Sequence, residues 1–207
     1  MVSNESCITS EAELEQIYGA VAKPSITKET DHLHPAYRPF IEAATFVALA
    51  TSGPGGLDVS PRGDPAGFVQ VEDAKTLLLP DRRGNNRLDS LRNILHDNRV
   101  ALLFLIPGIG ETLRVNGTAV ITTQPDLLNR FALNNQPPKT VLCITVDSVF
   151  FQCSRAMIRS KLWDPTSQIA RDKLPSPGQI LHQLSHAEID GEAYDQSLPE
   201  RLKNTLY

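Results

Sequence analysis

The chain is short of the features that most readily announce a chemistry. It has three cysteines, one tryptophan and two methionines among 207 residues. Cys7, Cys143 and Cys153 are odd in number and far apart, with no Cys-x-x-Cys pair, so a disulfide framework is not supported. An excess of positive charge is missing too: the net charge is −4 and the sequence pI is near 5.7. A general nucleic-acid or membrane-surface binder is therefore not expected, and any anion site has to be local. The longest apolar run, 100–107, is far too short to span a bilayer. The N-terminus, "MVSNESCITS", is polar and has no signal-peptide pattern, which makes a reducing cytoplasm the expected location. Neither a Walker loop nor a Gly-x-Ser-x-Gly elbow is present, which argues against a nucleoside triphosphatase and a serine hydrolase.

What the chain does have is enough apolar material, 41%, for one full core. Ser10 followed by Glu13 predicts a capping box, with Leu14, Ile17, Tyr18 and Val21 as the helical stripe behind it. Residues 22–34 read as a loop and "PAYRPFIEAA" as a short helix entered at Pro35. "GPGG" at 53–56 predicts a hairpin between strands 45–52 and 57–60. Further strands are expected at 67–71, 76–79, 100–106, 112–122 and 141–152. Helices are expected after Asn85, with Leu88, Leu91, Ile94 and Leu95 on one face, near 126–133 under a Thr123 cap, and at 154–162. Strands in hairpin order with few helices between them predict a mainly β protein, an antiparallel barrel with peripheral helices. Pro165, Pro175 and Pro177 mark a boundary, beyond which the chain reads as an appendage or dimer arm.

Four stretches carry candidate chemistry. "PDRRGNNRLDSLRNIL" gathers Arg82, Arg83 and Arg87 at the mouth of a helix, where the partial positive charge of the helix start makes them costly unless an anion arrives. Asn85 and Asn86 suit the cap and left-handed positions, which would set Arg87 in the first turn, its fork free for a phosphate. A surface loop with the arginines paired to Asp81 and Asp89 is the alternative. "DVSPRGDPAGF" breaks a strand with two prolines and two glycines, the sign of a bulge or of a ligand against bare backbone; Arg62 and Asp64 lie in the bend, and a simple Arg–Asp pair would also explain them. Thr112 and Arg114 share a strand face, pointing at solvent or a ligand. Trp163, in "RSKLWDP" beside Ser160 and Lys161, either packs or stacks on a planar ring. The pairs His32/His34 and His182/His186 lack a third ligand in register, so no metal is expected.

Taken in order and spacing, "DVSPRGDPAGFV", "LLLPDRRGNNRLDSLRNIL", "VALLFLIPGIGETLRVNG" and "RSKLWDP" resemble the pyridoxamine 5′-phosphate oxidase-like flavin-binding family, and more narrowly its FMN-binding subgroup. The resemblance implies a split β-barrel, a homodimer and FMN between the subunits. It divides the chain into an N-terminal helix and linker (1–34), a flavin-binding barrel (35–165) and a C-terminal extension (166–207). It implies cofactor contacts from Arg62, Gly63 and Asp64; from Pro80, Asp81 and Arg82; from the phosphate loop residues Asn85, Asn86 and Arg87; and from Thr112, Arg114, Ser160, Lys161 and Trp163. Arg62 and Arg114 would face the pyrimidine edge of the ring. The implied activity is a flavin-dependent oxidoreductase on a small substrate, with no residue assigned as acid or base. A non-catalytic flavin carrier or sensor, or a barrel using deazaflavin or haem, are the alternatives. One departure is informative. Pyridoxamine 5′-phosphate oxidases place Arg-x-His just after the matching tryptophan to hold the substrate phosphate, whereas this chain reads "WDPTSQIARD".

Overall fold

The computed structural model describes residues 6–207; the first half of the polar N-terminus lies outside them. One seven-stranded antiparallel sheet organises the chain: β1 (Phe46–Gly53), β2 (Gly56–Gly63), β3 (Gln70–Val71), β4 (Thr76–Asp81), β5 (Arg99–Leu105), β6 (Thr112–Thr122) and β7 (Thr140–Gln152). The spatial order is β2-β1-β5-β6-β7-β4-β3. Strands β2 and β3 are neighbours in sequence yet occupy opposite edges, so the sheet curls until its edges approach. This is a split β-barrel with helices at its periphery, as the sequence predicts. Alternation supplies the core: Val47, Leu49, Leu102, Phe104, Leu113, Val115, Leu142 and Ile144 are buried on the inner face.

Strand β2 runs on through Pro61 and Arg62 in unbroken register with β1, so the predicted bulge in "DVSPRG" is absent. Its position explains why: β2 is an edge strand, and the N–H that Pro61 lacks has no ladder partner to lose. The bulge lies instead between Asn116 and Gly117 of β6. There a Cβ on Gly117 would run into the carbonyl oxygen of Thr145.

The helices are α1 (Glu11–Tyr18), α2 (Lys23–Thr27), α3 (Arg38–Ala43), α4 (Asp89–His96), α5 (Pro125–Arg130), α6 (Arg155–Ser160), α7 (Pro177–Leu184) and α8 (Gly191–Thr205). Ser10 and Glu13 form the expected capping box of α1, but its stripe of Leu14, Ile17 and Tyr18 is exposed rather than packed. Residues 22–34 are not all loop: α2 forms there, with Pro24 in its first turn, and Thr30 bridges to Val149. Helix α5 starts at Pro125 from Gln124, not under a Thr123 cap. On α4 only Ile94 of the four predicted apolar residues is buried; Leu88 and Leu95 are exposed, and Ser90 replaces them on the inward face. The substitution is polar because α4 lies over the split, where Ser90 Oγ donates to Asp58 Oδ2 at 2.7 Å.

Candidate functional site

The split between the ends of β2 and β4 is a cleft of about 520 Å³. Its floor is the inward face of β2, from which Asp58, Ser60 and Arg62 project, and its far wall is Asp81 at the end of β4. The loop 82–88 and the first turn of α4 form the rim, and Lys139 closes one side. Two ion pairs cross the split. Arg62 donates to Asp81, and Arg82 Nε donates to Asp64 Oδ2 at 2.6 Å. The simple Arg62–Asp64 pair is therefore not formed; each residue pairs across the gap instead, lacing β2 and the residue after it to the end of β4.

A hydrogen-bonded chain continues from this lacing. Arg62 Nε donates to Ser60 Oγ at 3.3 Å, Ser60 Oγ lies 2.9 Å from Ser90 Oγ, and Ser90 ends on Asp58. These bonds fix the floor to α4. Pro80 is buried in β4 opposite Val141 and lies outside the cleft, where it sets the strand end that presents Asp81.

The rim is conformationally unusual. Asn86 (φ 58°) and Leu88 (φ 63°) are both left-handed, a costly geometry for leucine. Leu88, not an asparagine, is the N-cap of α4, and no side chain caps that helix start. Asn85 Oδ1 instead accepts the Arg87 amide at 3.0 Å, which closes the turn. Arg87 consequently precedes the helix rather than sitting in its first turn, and its guanidinium pairs with Asp89, which raises its pKa further. Asp89 in the first turn offsets part of the charge repulsion that the arginines pose. Five cationic side chains (Arg62, Arg82, Arg83, Arg87, Lys139) still line the cleft against three acidic ones, on a protein whose net charge is negative. Among the described residues no ion pair engages Arg83, and Lys139 Nζ reaches only Asn86 Oδ1, at 3.3 Å.

The candidate residues fall into two groups. Arg62, Asp81, Arg82, Asn85, Asn86 and Arg87 meet in the cleft; Asp64 lies behind Arg82, in a smaller neighbouring cavity, and Gly63 ends β2. Thr112, Arg114, Ser160, Lys161 and Trp163 do not join them. By register Arg114 aligns with Leu103, Ala48 and Pro61 on the outer face of the sheet, whereas Arg62 is on the inner face. Arg114 stacks on Phe150, 5.0 Å from the ring centre, so Arg62 and Arg114 do not flank one position within a chain. Trp163 Nε1 donates to the Ile109 carbonyl at 2.7 Å, and Ser160 Oγ to the Met157 carbonyl at 3.2 Å; Lys161 is the left-handed C-cap of α6. The cleft also draws on Asp58, Ser60, Ser90 and Lys139, which sequence reasoning left out. Asp58 and Ser60 were legible as the strand alternation leading to Arg62, whereas Lys139, 52 positions beyond Arg87, gave no local signal.

One histidine of each pair is engaged elsewhere. His32 Nδ1 pairs with Asp31 at 2.8 Å and His182 Nδ1 lies 3.0 Å from the Ile189 carbonyl. Cys143 is half-buried beside Leu78, Phe131 and Val141, and burial pushes its thiol pKa up, away from the reactive thiolate. Among the described residues no helix is long and apolar enough to cross a membrane.

A cleft opening at the split of a β-barrel, rimmed by an uncapped helix start and more cations than acids, marks a split-barrel protein with a candidate anion site. The family described as pyridoxamine 5′-phosphate oxidase matches residues 33–153, more than half of the chain, and the chain belongs to that family. Ser160, Lys161 and Trp163 lie beyond the matched segment. Among solved structures, the chain is similar to HupZ of Group A Streptococcus, at 19% identity and a TM-score of 0.48 over 58% of this chain and 94% of that one. It is similar also to a Clostridium acetobutylicum protein related to general stress protein 26, of the pyridoxinephosphate oxidase family (15%, TM-score 0.45, 57% and 86%). An FMN-binding protein from Syntrophomonas wolfei is a third (12%, TM-score 0.41, 68% and 95%). No curated protein matches in sequence.

Proposed function

We propose that the chain binds FMN, with the phosphate at the rim of the split, and serves as a flavin-dependent oxidoreductase on a small substrate. The carrying observation is the uncapped start of α4, entered through left-handed Leu88 and facing a cleft with more cations than acids. Unpaired helix N–H groups and guanidinium forks are the donor set that a phosphate dianion takes. The size fits as well: about 520 Å³ lies within the usual range for small-molecule sites, roughly 300–1,000 Å³. The lining is polar enough for a phosphate and a polyol, and its hydroxyls on Ser60 and Ser90 suit a ribityl chain. When bound, the flavin would supply the redox chemistry, and the protein would supply binding, orientation and tuning.

Little in the cleft would cover a planar apolar ring, which favours a homodimer. Leu57 (88% exposed) and Val59 (66%) stand on the outer face of β2, and Phe46 on that of β1 is also exposed. Register carries that face across to Leu103 and Arg114. A second copy packed there would bring its own Arg114 toward the cleft of the first, the one way in which the two groups of candidate residues could meet at a ring. The absorption spectrum of the purified protein, read with its mass by sedimentation equilibrium, tests the proposal. Oxidised-flavin bands on a dimer are expected. A Soret or deazaflavin band would replace the cofactor, and a monomer that retains FMN would refute the assembly.

A further inference from the structure

Residues 165–207 form an arm that meets the barrel at its far end. Its two helices cross where Gly178 and Gly191 touch, so closely that a Cβ on either would strike the other's carbonyl oxygen. Asp195 fastens the crossing by accepting from Ser176 Oγ and, at 2.8 Å, from the Gly178 amide. Apart from the local bonds of Thr166 and Ser167 to Lys161 and Asp164, where the arm leaves the barrel, a single hydrogen bond among the described residues joins the arm to the barrel. The Tyr207 hydroxyl donates to Asp64 Oδ1 at 3.0 Å, across 143 positions of sequence.

That contact falls on the lacing of the cleft. The Asp64 side chain is 1% exposed, and its other oxygen receives Arg82 Nε at 2.6 Å. The Tyr207 ring lies 5.9 Å from the Arg82 guanidinium carbon, and Arg82 also donates to the Phe131 carbonyl at 2.6 Å. A buried carboxylate is held in one orientation only when both oxygens are satisfied, and here the Tyr207 hydroxyl satisfies one of them. Arg82 is in turn the first residue of the 82–88 rim. We infer that Tyr207 is a positioning residue for the anion site: it orients Asp64, Asp64 orients Arg82, and Arg82 fixes the point from which the rim loop starts. The arm therefore acts as a strap whose end sets the order of the loop.

The test uses the full chain, a Tyr207→Phe variant that keeps the ring and loses the hydroxyl, and a chain lacking Tyr207 alone. Amide hydrogen exchange of residues 82–91 is measured without ligand, along with the melting temperature. Dissociation constants for FMN and riboflavin follow. Y207F is expected to raise exchange over 82–91 roughly three- to tenfold and to weaken FMN by a similar factor, less than the roughly ten- to hundredfold for losing a hydrogen bond made directly to a charged group, because the effect is relayed through Asp64 and Arg82. Riboflavin affinity stays unchanged, the melting temperature falls by no more than the loss of one hydrogen bond entails, and removal of Tyr207 has the larger effect. Unchanged exchange over 82–91 in both variants overturns the inference, as does a uniform rise across the barrel with a lower melting temperature. The affinity measurement rests on the flavin reading and the exchange measurement does not. Loosening of 82–91 in a protein that fails to prefer FMN would sustain the strap and refute the flavin.

Discussion

Replacing Arg62 with alanine separates the structural role of the lacing from its role toward a ligand. The Arg62 side chain is 20% exposed and Asp81 11%, so truncation strands a carboxylate that water reaches poorly. Breaking one partner of a fully buried pair costs about 3–5 kcal/mol; with this residual exposure about 2–3 kcal/mol is expected. The Arg62 bond to Ser60 is lost as well, but Ser60 keeps its contact with Ser90 and so is not orphaned. For a chain of this length that corresponds to a fall in Tm of roughly 4–12 °C. Asp81→Asn removes the charge, so the double variant should regain about 1–2 kcal/mol relative to Arg62→Ala alone, a coupling in the range of contacting pairs. Urea denaturation of the four proteins, followed by circular dichroism without ligand, supplies the cycle. An R62A protein as stable as the parent would refute the claim that this pair closes the split, and so would a double variant no more stable than R62A.

Three further outcomes are expected. Gly117→Ala should destabilise by at least about 1–3 kcal/mol, since the new methyl meets the Thr145 carbonyl at the bulge; an unchanged Tm would contradict that packing. The Tyr207 phenol, held protonated by its bond to Asp64 and by burial, has a pKa raised above 10.0. Its stabilising contribution is thus complete below pH 10 and lost as pH rises through the raised value, and the absorbance step missing from Y207F should lie above that pH. Pyridoxamine 5′-phosphate should be oxidised negligibly, because Arg-x-His is absent after Trp163 and His182 and His186 do not line the cleft; steady release of pyridoxal 5′-phosphate faster than about 0.1 s⁻¹ would contradict this.

Periodicity carried the strands, since alternation such as Val47, Leu49 and Thr51 needs only a local period of two. The bounds of β6, read as 112–122, hold because turn chemistry limits it on the N-terminal side, whereas its bulge at Asn116/Gly117 left no local signal. Local propensity failed where tertiary partners decide. Leu88 reads as a core residue on a helix stripe and is instead a left-handed cap, a choice made by the loop that precedes it. Arg62 and Asp64 look like a pair two residues apart, but β2 ends at Gly63 and each side chain reaches across the split instead, to Asp81 and Arg82. The cationic loop was legible as a motif. Its partners Lys139 and Tyr207 were not, because they arrive through strand order and chain return rather than through spacing.

Equilibrium titration of the flavin-free protein with FMN and with riboflavin, repeated on Arg87→Ala, tests the central claim most directly. The two ligands differ only in the phosphate that the rim is proposed to hold. FMN should bind at least tenfold more tightly than riboflavin. R87A should lose roughly ten- to a hundredfold in FMN affinity, about 1.5–3 kcal/mol for a hydrogen bond to a charged group, and far less in riboflavin affinity. Because Arg87 is exposed and pairs only with Asp89, its loss should leave Tm nearly unchanged. Equal affinity of the parent for both ligands, or equal losses for both in R87A, would contradict a phosphate site at the start of α4.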